Sequence, residues 1–183
     1  SAIEPLRMAN QLTQKVLFRW QVLSDDGGPV ACSNGVPVMA EGAWAKSKPE
    51  GLVLVCSGVE PEGKASVALG DWLRALWRRG RVVGGLCTGA YALAQAGILK
   101  GHRFTMHWDN TTAFSENFPD LEPSRQVFSI DDRVMTCAGG VAAADLMRLM
   151  TFVTAGRLRS GCVPIITVRF RIPSDRAHMS LVY

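Results

Sequence analysis

One stretch restricts the fold more than any other. Val82-Val-Gly-Gly-Leu-Cys-Thr-Gly-Ala90 is an apolar run that carries a single cysteine into a tight turn and opens into a helical pattern from Tyr91 to Ala96. An apolar run without polar alternation suits a strand covered on both faces, the normal situation in a parallel sheet flanked by helices. The small residues Gly85 and Gly89 let strand and helix backbones approach each other around the corner. This is the cysteine form of a nucleophile elbow, which predicts an α/β protein rather than an all-helical or all-β one.

The flanking pattern agrees. Residues 2–12 place Ile3, Leu6, Ala9 and Leu12 near helical spacing, and Leu17 to Leu23 alternates as a strand that Asp25-Asp26-Gly27-Gly28 closes. Short extended pieces are predicted around Val30-Ala31-Cys32 and Val36-Pro37-Val38. Gly51 to Ser57 is a second buried strand, and Val67 to Trp77 an amphipathic helix ending at Arg78-Arg79-Gly80. Arg81 to Leu86 is the elbow strand, with Leu52 to Val55 expected beside it at the centre of the sheet. Asn110 to Asn117 reads as a short helix. Val127 to Ile130 and Arg133 to Cys137 form a hairpin across Asp131-Asp132, and Val141 to Thr154 is a long apolar helix. Alternating strands and helices predict a three-layer α/β/α sandwich with a mainly parallel sheet of flavodoxin-like type over residues 1–155. Residues 156–183 change character and read as a basic extension or linker.

With 183 residues, 48% of them hydrophobic and 20% charged, the chain has the make-up of a globular domain with a real core. The formal charge of +4 is concentrated after residue 155, where five arginines face one aspartate, Asp175, so the body is formally neutral. That distribution argues against nucleic-acid binding by the body itself. The five cysteines are odd in number, widely spaced and without a C-x-x-C pair, which fits a reducing, cytoplasmic setting and excludes a thiolate metal site. Neither a metal nor a cofactor is expected. No apolar run long enough to span a membrane occurs, and Ser1 to Arg7 does not read as a secretory leader.

The chemistry-bearing candidates centre on the elbow. Cys87 is expected at the N-terminus of a helix, in strained backbone geometry, where the helix dipole would lower its pKa. His107 follows in Phe104-Thr-Met-His-Trp108, placed either to act as base to Cys87 or to donate a hydrogen bond to a ligand above it. Asp109 adjoins that His-Trp pair, although residues two apart at a helix start need not meet. His102 and His178 are assigned no role, and the remaining tryptophans, Trp20, Trp44, Trp72 and Trp77, are core or surface anchors.

Gly85-Leu-Cys-Thr-Gly-Ala-Tyr91 and the following residues to Gly101, Met106-His-Trp-Asp109, Phe114-Ser-Glu-Asn-Phe-Pro119 and Thr136-Cys-Ala-Gly-Gly-Val-Ala-Ala-Ala-Asp-Leu-Met147 occur in this order. Glu4-Pro-Leu-Arg-Met-Ala-Asn10 and Ser33-Asn-Gly-Val-Pro37 precede them. Together they resemble AraC-type transcriptional regulators that carry an N-terminal ThiJ/PfpI, class I glutamine amidotransferase-like domain. The resemblance implies a sensor of small metabolites, of the amino-acid or quaternary-amine class, joined to a C-terminal helix-turn-helix module that binds DNA and is absent from this chain. Phe170 to Leu181 is similar to the linker before that module. Two departures stand out. The resemblance places the family's first strand, and the loop that supplies hydrolytic relatives with an acid, upstream of Ser1, leaving Glu4 as a substitute only if its helix directs it at Cys87. Arg157 to Val168 also lacks the helical, Ala-rich pattern usual there.

The resulting expectation is a ligand pocket above Cys87 formed by Thr88, His107, Trp108, Ser57, Gly58 and the Cys137-Ala-Gly139-Gly140 turn, with Glu4 as a further candidate. An indole face attracts a cationic head group, which gives Trp108 a physical role in such a pocket. The expected partners are a small-molecule effector, DNA through the absent module, and a second copy in a homodimer, with no membrane. The alternative is a cysteine-dependent hydrolase, amidase or hydratase with Cys87 as nucleophile and His107 as base. Such a pair needs a third group to orient the base.

Overall fold

The computed structural model describes residues 1–32, 34–58 and 66–152 in full, and residues 153–157 and 165–171 as backbone. Ser33, the remainder of the basic tail and His178 lie outside the described residues. The order of elements is α1 (Glu4–Thr13), β1 (Arg19–Ser24), β2 (Val30–Ala31), β3 (Pro37–Val38), β4 (Gly42–Ala43), β5 (Leu52–Ser57) and α2 (Val67–Arg78). It continues with β6 (Val83–Cys87), α3 (Ala90–Gln95), α4 (Thr111–Asn117), β7 (Phe128–Asp131), β8 (Val134–Cys137), α5 (Ala142–Arg157) and β9 (Ile165–Arg171).

Seven strands form the main sheet in the order β4-β1-β9-β5-β6-β8-β7, and β2 and β3 make a separate hairpin. Every pairing in the main sheet is parallel except that of the edge strand β7 with β8. Successive residues of a strand face opposite sides, and the two cores follow that alternation. Val53, Val55 and Val83 pack with Leu69, Leu73 and Leu76 of α2 and with α3 and Phe114 of α4. Leu52, Leu54 and Leu86 pack with Leu6 of α1 and Leu146 and Met147 of α5. The molecule is therefore the expected three-layer sandwich, with β5 and β6 adjacent and buried.

The helix ends have local causes. Ser66 caps α2 by accepting the Leu69 N–H, and Pro5 sits in the first turn of α1, where its missing N–H costs nothing. On the β7–β8 turn Asp132 takes the left-handed conformation that a tight hairpin demands, φ 51°.

One segment departs from expectation. Residues 165–171, read from sequence as part of an extension, form β9, which pairs with β1 on one side and β5 on the other. Without it β1 and β5 would not be joined. Its composition explains why it is hard to recognise: Arg169 and Arg171 follow Ile-Ile-Thr-Val and charge the second half of the strand, whereas strands buried on both faces normally read as unbroken apolar runs.

Candidate functional site

The site lies where β5, β6 and β8 end, the edge at which open α/β sheets commonly bind ligands. Ser57 and Cys87 are register partners across β5 and β6, and Leu86 is paired with Cys137 across β6 and β8. Cys87 has φ 59°, a left-handed conformation that a residue with a Cβ adopts only where its surroundings impose it. The surroundings here are specific. A Cβ on Gly85 would stand 2.6 Å from the Ala90 nitrogen, and one on Gly89 would collide with the Val55 carbonyl, so only glycine permits α3 to pack this closely on the strands. The Gly89 N–H donates to the Leu86 carbonyl at 2.9 Å and closes the turn.

The Thr88 hydroxyl, buried, donates to the Gly58 carbonyl at 2.6 Å and ties the end of β5 to the elbow. Gly139, with φ +95°, brings the β8–α5 turn against the Cys87 side chain. The His107 N–H donates to the Cys87 carbonyl at 3.3 Å, fixing the His-Trp pair beside the elbow. Its imidazole stacks on Trp108 with centroids 4.3 Å apart and planes 25° apart, and Trp108 remains 66% exposed. The structure thus brings Ser57, Gly58, Cys87, Thr88, His107, Trp108 and Gly139 to one end of the sheet.

Among the described residues, no contact brings Glu4 into that group. It is an exposed residue of α1 whose carboxylate accepts from the Arg7 Nε at 2.8 Å, an ordinary i,i+3 surface pair.

The electrostatics correct one expectation. The Cys87 thiol is held above its ordinary value of 9.0, chiefly because burial disfavours the thiolate. The Thr88 N–H directed at it works the other way and is outweighed, while Cys137 and Asp109 add to the rise. Cys137 is raised by burial too, although the N–H groups of Gly139 and Cys87 face its sulfur, and Cys56 is raised more strongly for the same reason.

His107 and Asp109 meet after all. The imidazole Nδ1 lies 3.7 Å from the Asp109 carboxylate and accepts the Asp109 N–H at 3.4 Å. Among the described residues, however, no hydrogen bond joins the Cys87 thiol to His107. No group of three His, Cys, Asp or Glu side chains among the described residues is placed to hold a metal ion.

Two residues missing from the sequence reading hold the site in position. Buried Thr136 accepts the Thr105 N–H at 2.8 Å, and the Thr105 hydroxyl lies 2.6 Å from the Gln126 carbonyl, to which it donates, and 2.9 Å from that of Ser124. These bonds anchor the segment that carries His107. The available signal is a threonine at each of two otherwise apolar core positions, Phe-Thr-Met and Met-Thr-Cys.

Residues 2–152 match the model of the DJ-1/PfpI family. The chain belongs to that family. The match runs from α1 through most of α5 and takes in the whole elbow. Within the family the similarity is to regulators. The chain is 47% identical over 147 residues to the HTH-type transcriptional regulator CdhR of Pseudomonas aeruginosa, covering 80% of this chain and 44% of that protein. It is 40% identical over 151 residues to the HTH-type transcriptional regulator GlxA of Rhizobium meliloti, covering 82% and 47%. Among solved structures, an AraC family transcriptional regulator from Pseudomonas putida superposes with a TM-score of 0.72 at 26% identity, over 87% of this chain and 84% of that one. The chain spans about half the length of the curated relatives it matches. These relatives are named as transcriptional regulators rather than as enzymes.

Proposed function

We propose that this DJ-1/PfpI domain is the effector-sensing part of a cytoplasmic transcriptional regulator. It binds a small metabolite bearing a cationic amine, of the amino-acid or quaternary-amine class, above Cys87. DNA is bound by a helix-turn-helix module outside this chain, and the regulator works as a homodimer. The observation that carries the ligand class is Trp108, an indole left two-thirds exposed beside the elbow with its ring stacked on His107. An exposed indole costs free energy in water and attracts a quaternary or primary ammonium over its face by roughly 0.5–2 kcal/mol. Ser57, Gly58 and Gly139 supply the small and polar walls, and buried Thr88 holds Gly58 in place from behind.

The His107 N–H bond to the Cys87 carbonyl sets a base beside the thiol and favours a second reading, a cysteine-dependent hydrolase, although His107 Nδ1 accepts the Asp109 N–H and so has no proton to offer the Asp109 carboxylate. The raised thiol and the lack, among the described residues, of a hydrogen bond from that thiol to His107 weigh against it. A thermal-shift panel of amino acids and quaternary amines, followed by mass spectrometry of ligand and protein, separates the two. A saturable shift, about 2.7 kcal/mol at 100 times Kd, with the ligand intact supports sensing. Product or an acylated Cys87 supports catalysis, and no shift with any amine rejects the ligand class.

A further inference from the structure

The body of the chain is neutral in sum, but its charges are sorted along the direction of the strands. At the amino ends of the parallel strands, Lys15 and Arg19 precede β1, and Arg78, Arg79 and Arg81 lie at and just beyond the end of α2 before β6. Lys100 and Arg103 follow α3, and Arg133 opens β8. Asp131 and Asp132 are the acids among these eight cations, and Lys48 and Glu50 before β5 cancel. The turns at the opposite ends of the strands carry the other sign. They hold Asp25, Asp26, Glu41 and Asp109, with no lysine or arginine in 24–28, 41–43, 107–110 or 138–141. The elbow of Cys87 lies at that acidic end, so the basic end is a separate surface.

Packing makes the basic end continuous. The Arg133 guanidinium lies 3.7 Å over the Trp77 ring and donates to the Trp77 carbonyl at 2.8 Å, while His102 stands edge-on to the same indole. The Arg103 N–H donates to the Asp131 carboxylate at 2.6 Å. The end of α2, the turn after α3 and the β7–β8 hairpin therefore form one face. Asp132 lies 3.5 Å from Arg133. Arg78, Arg79, Lys100 and Arg103 are exposed, and among the described residues no carboxylate stands at ion-pair distance from any of their side chains.

Across 78–81, 100–103 and 131–133 no large apolar side chain is exposed. A protein partner needs an apolar centre to its interface, which this face does not offer. A phosphate backbone needs only positive charge, and six of the eight cations are arginines, whose planar fork fits phosphate. We propose that this face lies against the phosphates of duplex DNA, next to the stretch held by the module outside this chain. The occupant rests on the DNA-binding regulator of the proposed function, whereas the effector class does not enter. Contacts of this kind hold and orient the domain without reading sequence.

Fluorescence anisotropy of the full chain on a labelled duplex of arbitrary sequence tests it, with salt added from about 50 mM upward and circular dichroism to confirm each fold. Wild type should bind and lose affinity steeply as salt rises. Arg78→Glu, Arg79→Glu and Arg103→Glu together should weaken binding by about tenfold or more and reduce the salt slope by about three. The three positions as glutamine should move both readings the same way by less, which keeps the test open if the glutamates disturb the fold. Arg7→Glu, Arg125→Glu and Arg148→Glu together make the same change in net charge away from these turns and should cost about threefold at most. A wild type that leaves the duplex free at about 50 mM salt, or equal losses in the two glutamate triples, would overturn the surface. Displacement of the duplex by poly-glutamate or by anionic lipid vesicles at equal charge would reassign it to an acidic protein or a membrane. Failure on the duplex with a saturable amine shift removes this surface and leaves the sensor, and the reverse pair of results removes the sensor and leaves the surface.

Discussion

Gly139 packs directly on Cys87: a Cβ placed on the glycine would lie 2.8 Å from the Cys87 Cβ and 3.1 Å from its Sγ. The β8–α5 turn thus forms one wall of the elbow, and the space around the thiol depends on a residue fifty-two positions away in the chain. Gly139→Ala should destabilise the domain by about 1–3 kcal/mol, because the residue has φ +95° as well as the close contact. Gly140→Ala, with φ +56° and open space around it, is the control and should cost less. Equal losses in urea unfolding would show that the approach to Cys87 is not the cause.

Cys87→Ala should leave the domain folded and change effector affinity, since the thiol is half-buried at the end of the sheet rather than inside either core. Cys137→Ser should behave in the opposite way. That position is fully buried against Leu86 and α5, and a hydroxyl proton there without an acceptor costs about 1–3 kcal/mol. Calorimetric unfolding and ligand titration on both variants read the contrast. Unfolding of Cys87→Ala, with unchanged affinity in the fraction that stays folded, would remove Cys87 from the site.

Trp108→Ala should alter stability by no more than about 0.5 kcal/mol, as befits an exposed side chain. It should lower the affinity for a cationic effector by about 2- to 30-fold, the weight of one cation–π contact. Trp108→Phe should recover part of the loss. Isothermal titration with the amine found in the thermal-shift panel measures all three, and an unaffected Kd in Trp108→Ala would dispose of the aromatic cradle.

The raised thiols predict a pH dependence of definite sign. In the unfolded chain the thiols ionise near 9.0, whereas in the folded domain burial keeps Cys56, Cys87 and Cys137 protonated to higher pH. The unfolded state therefore binds fewer protons above pH 9.0, and stability should fall as pH climbs beyond that value. Removing Cys56 and Cys137 together, as alanines, should flatten the fall relative to wild type. Iodoacetamide should likewise modify Cys87 more slowly at neutral pH than it modifies an unfolded peptide of the same sequence. Faster modification would mean that the helix N-terminus and the Thr88 N–H outweigh burial.

Much of this protein is written locally. The unbroken apolar runs at 52–55 and 83–86, the helical spacing of Leu69, Leu73 and Leu76, and the small residues around Cys87 each depend on neighbours within one or two turns of chain, so their elements and the three-layer fold are legible from the residues alone. The small residues of the elbow are legible locally, but its conformation is imposed by packing, since Gly85 and Gly89 permit the close approach to Ala90 and to the Val55 carbonyl. The tertiary structure decided three other things. Whether Cys87 is activated or suppressed depends on burial, to which the β8–α5 turn contributes, and on the nearby Cys137 and Asp109. Whether Asp109 reaches His107 depends on the 3-10 turn at Trp108–Asn110, which folds the carboxylate back toward the ring. The position of β9 is the clearest case, since its β-branched Ile-Ile-Thr-Val suits a strand but Arg169 and Arg171 do not mark it for the middle of the sheet. A strand's place there is fixed by competition among all segments for two open edges, and that competition involves β1 and β5, more than a hundred residues away.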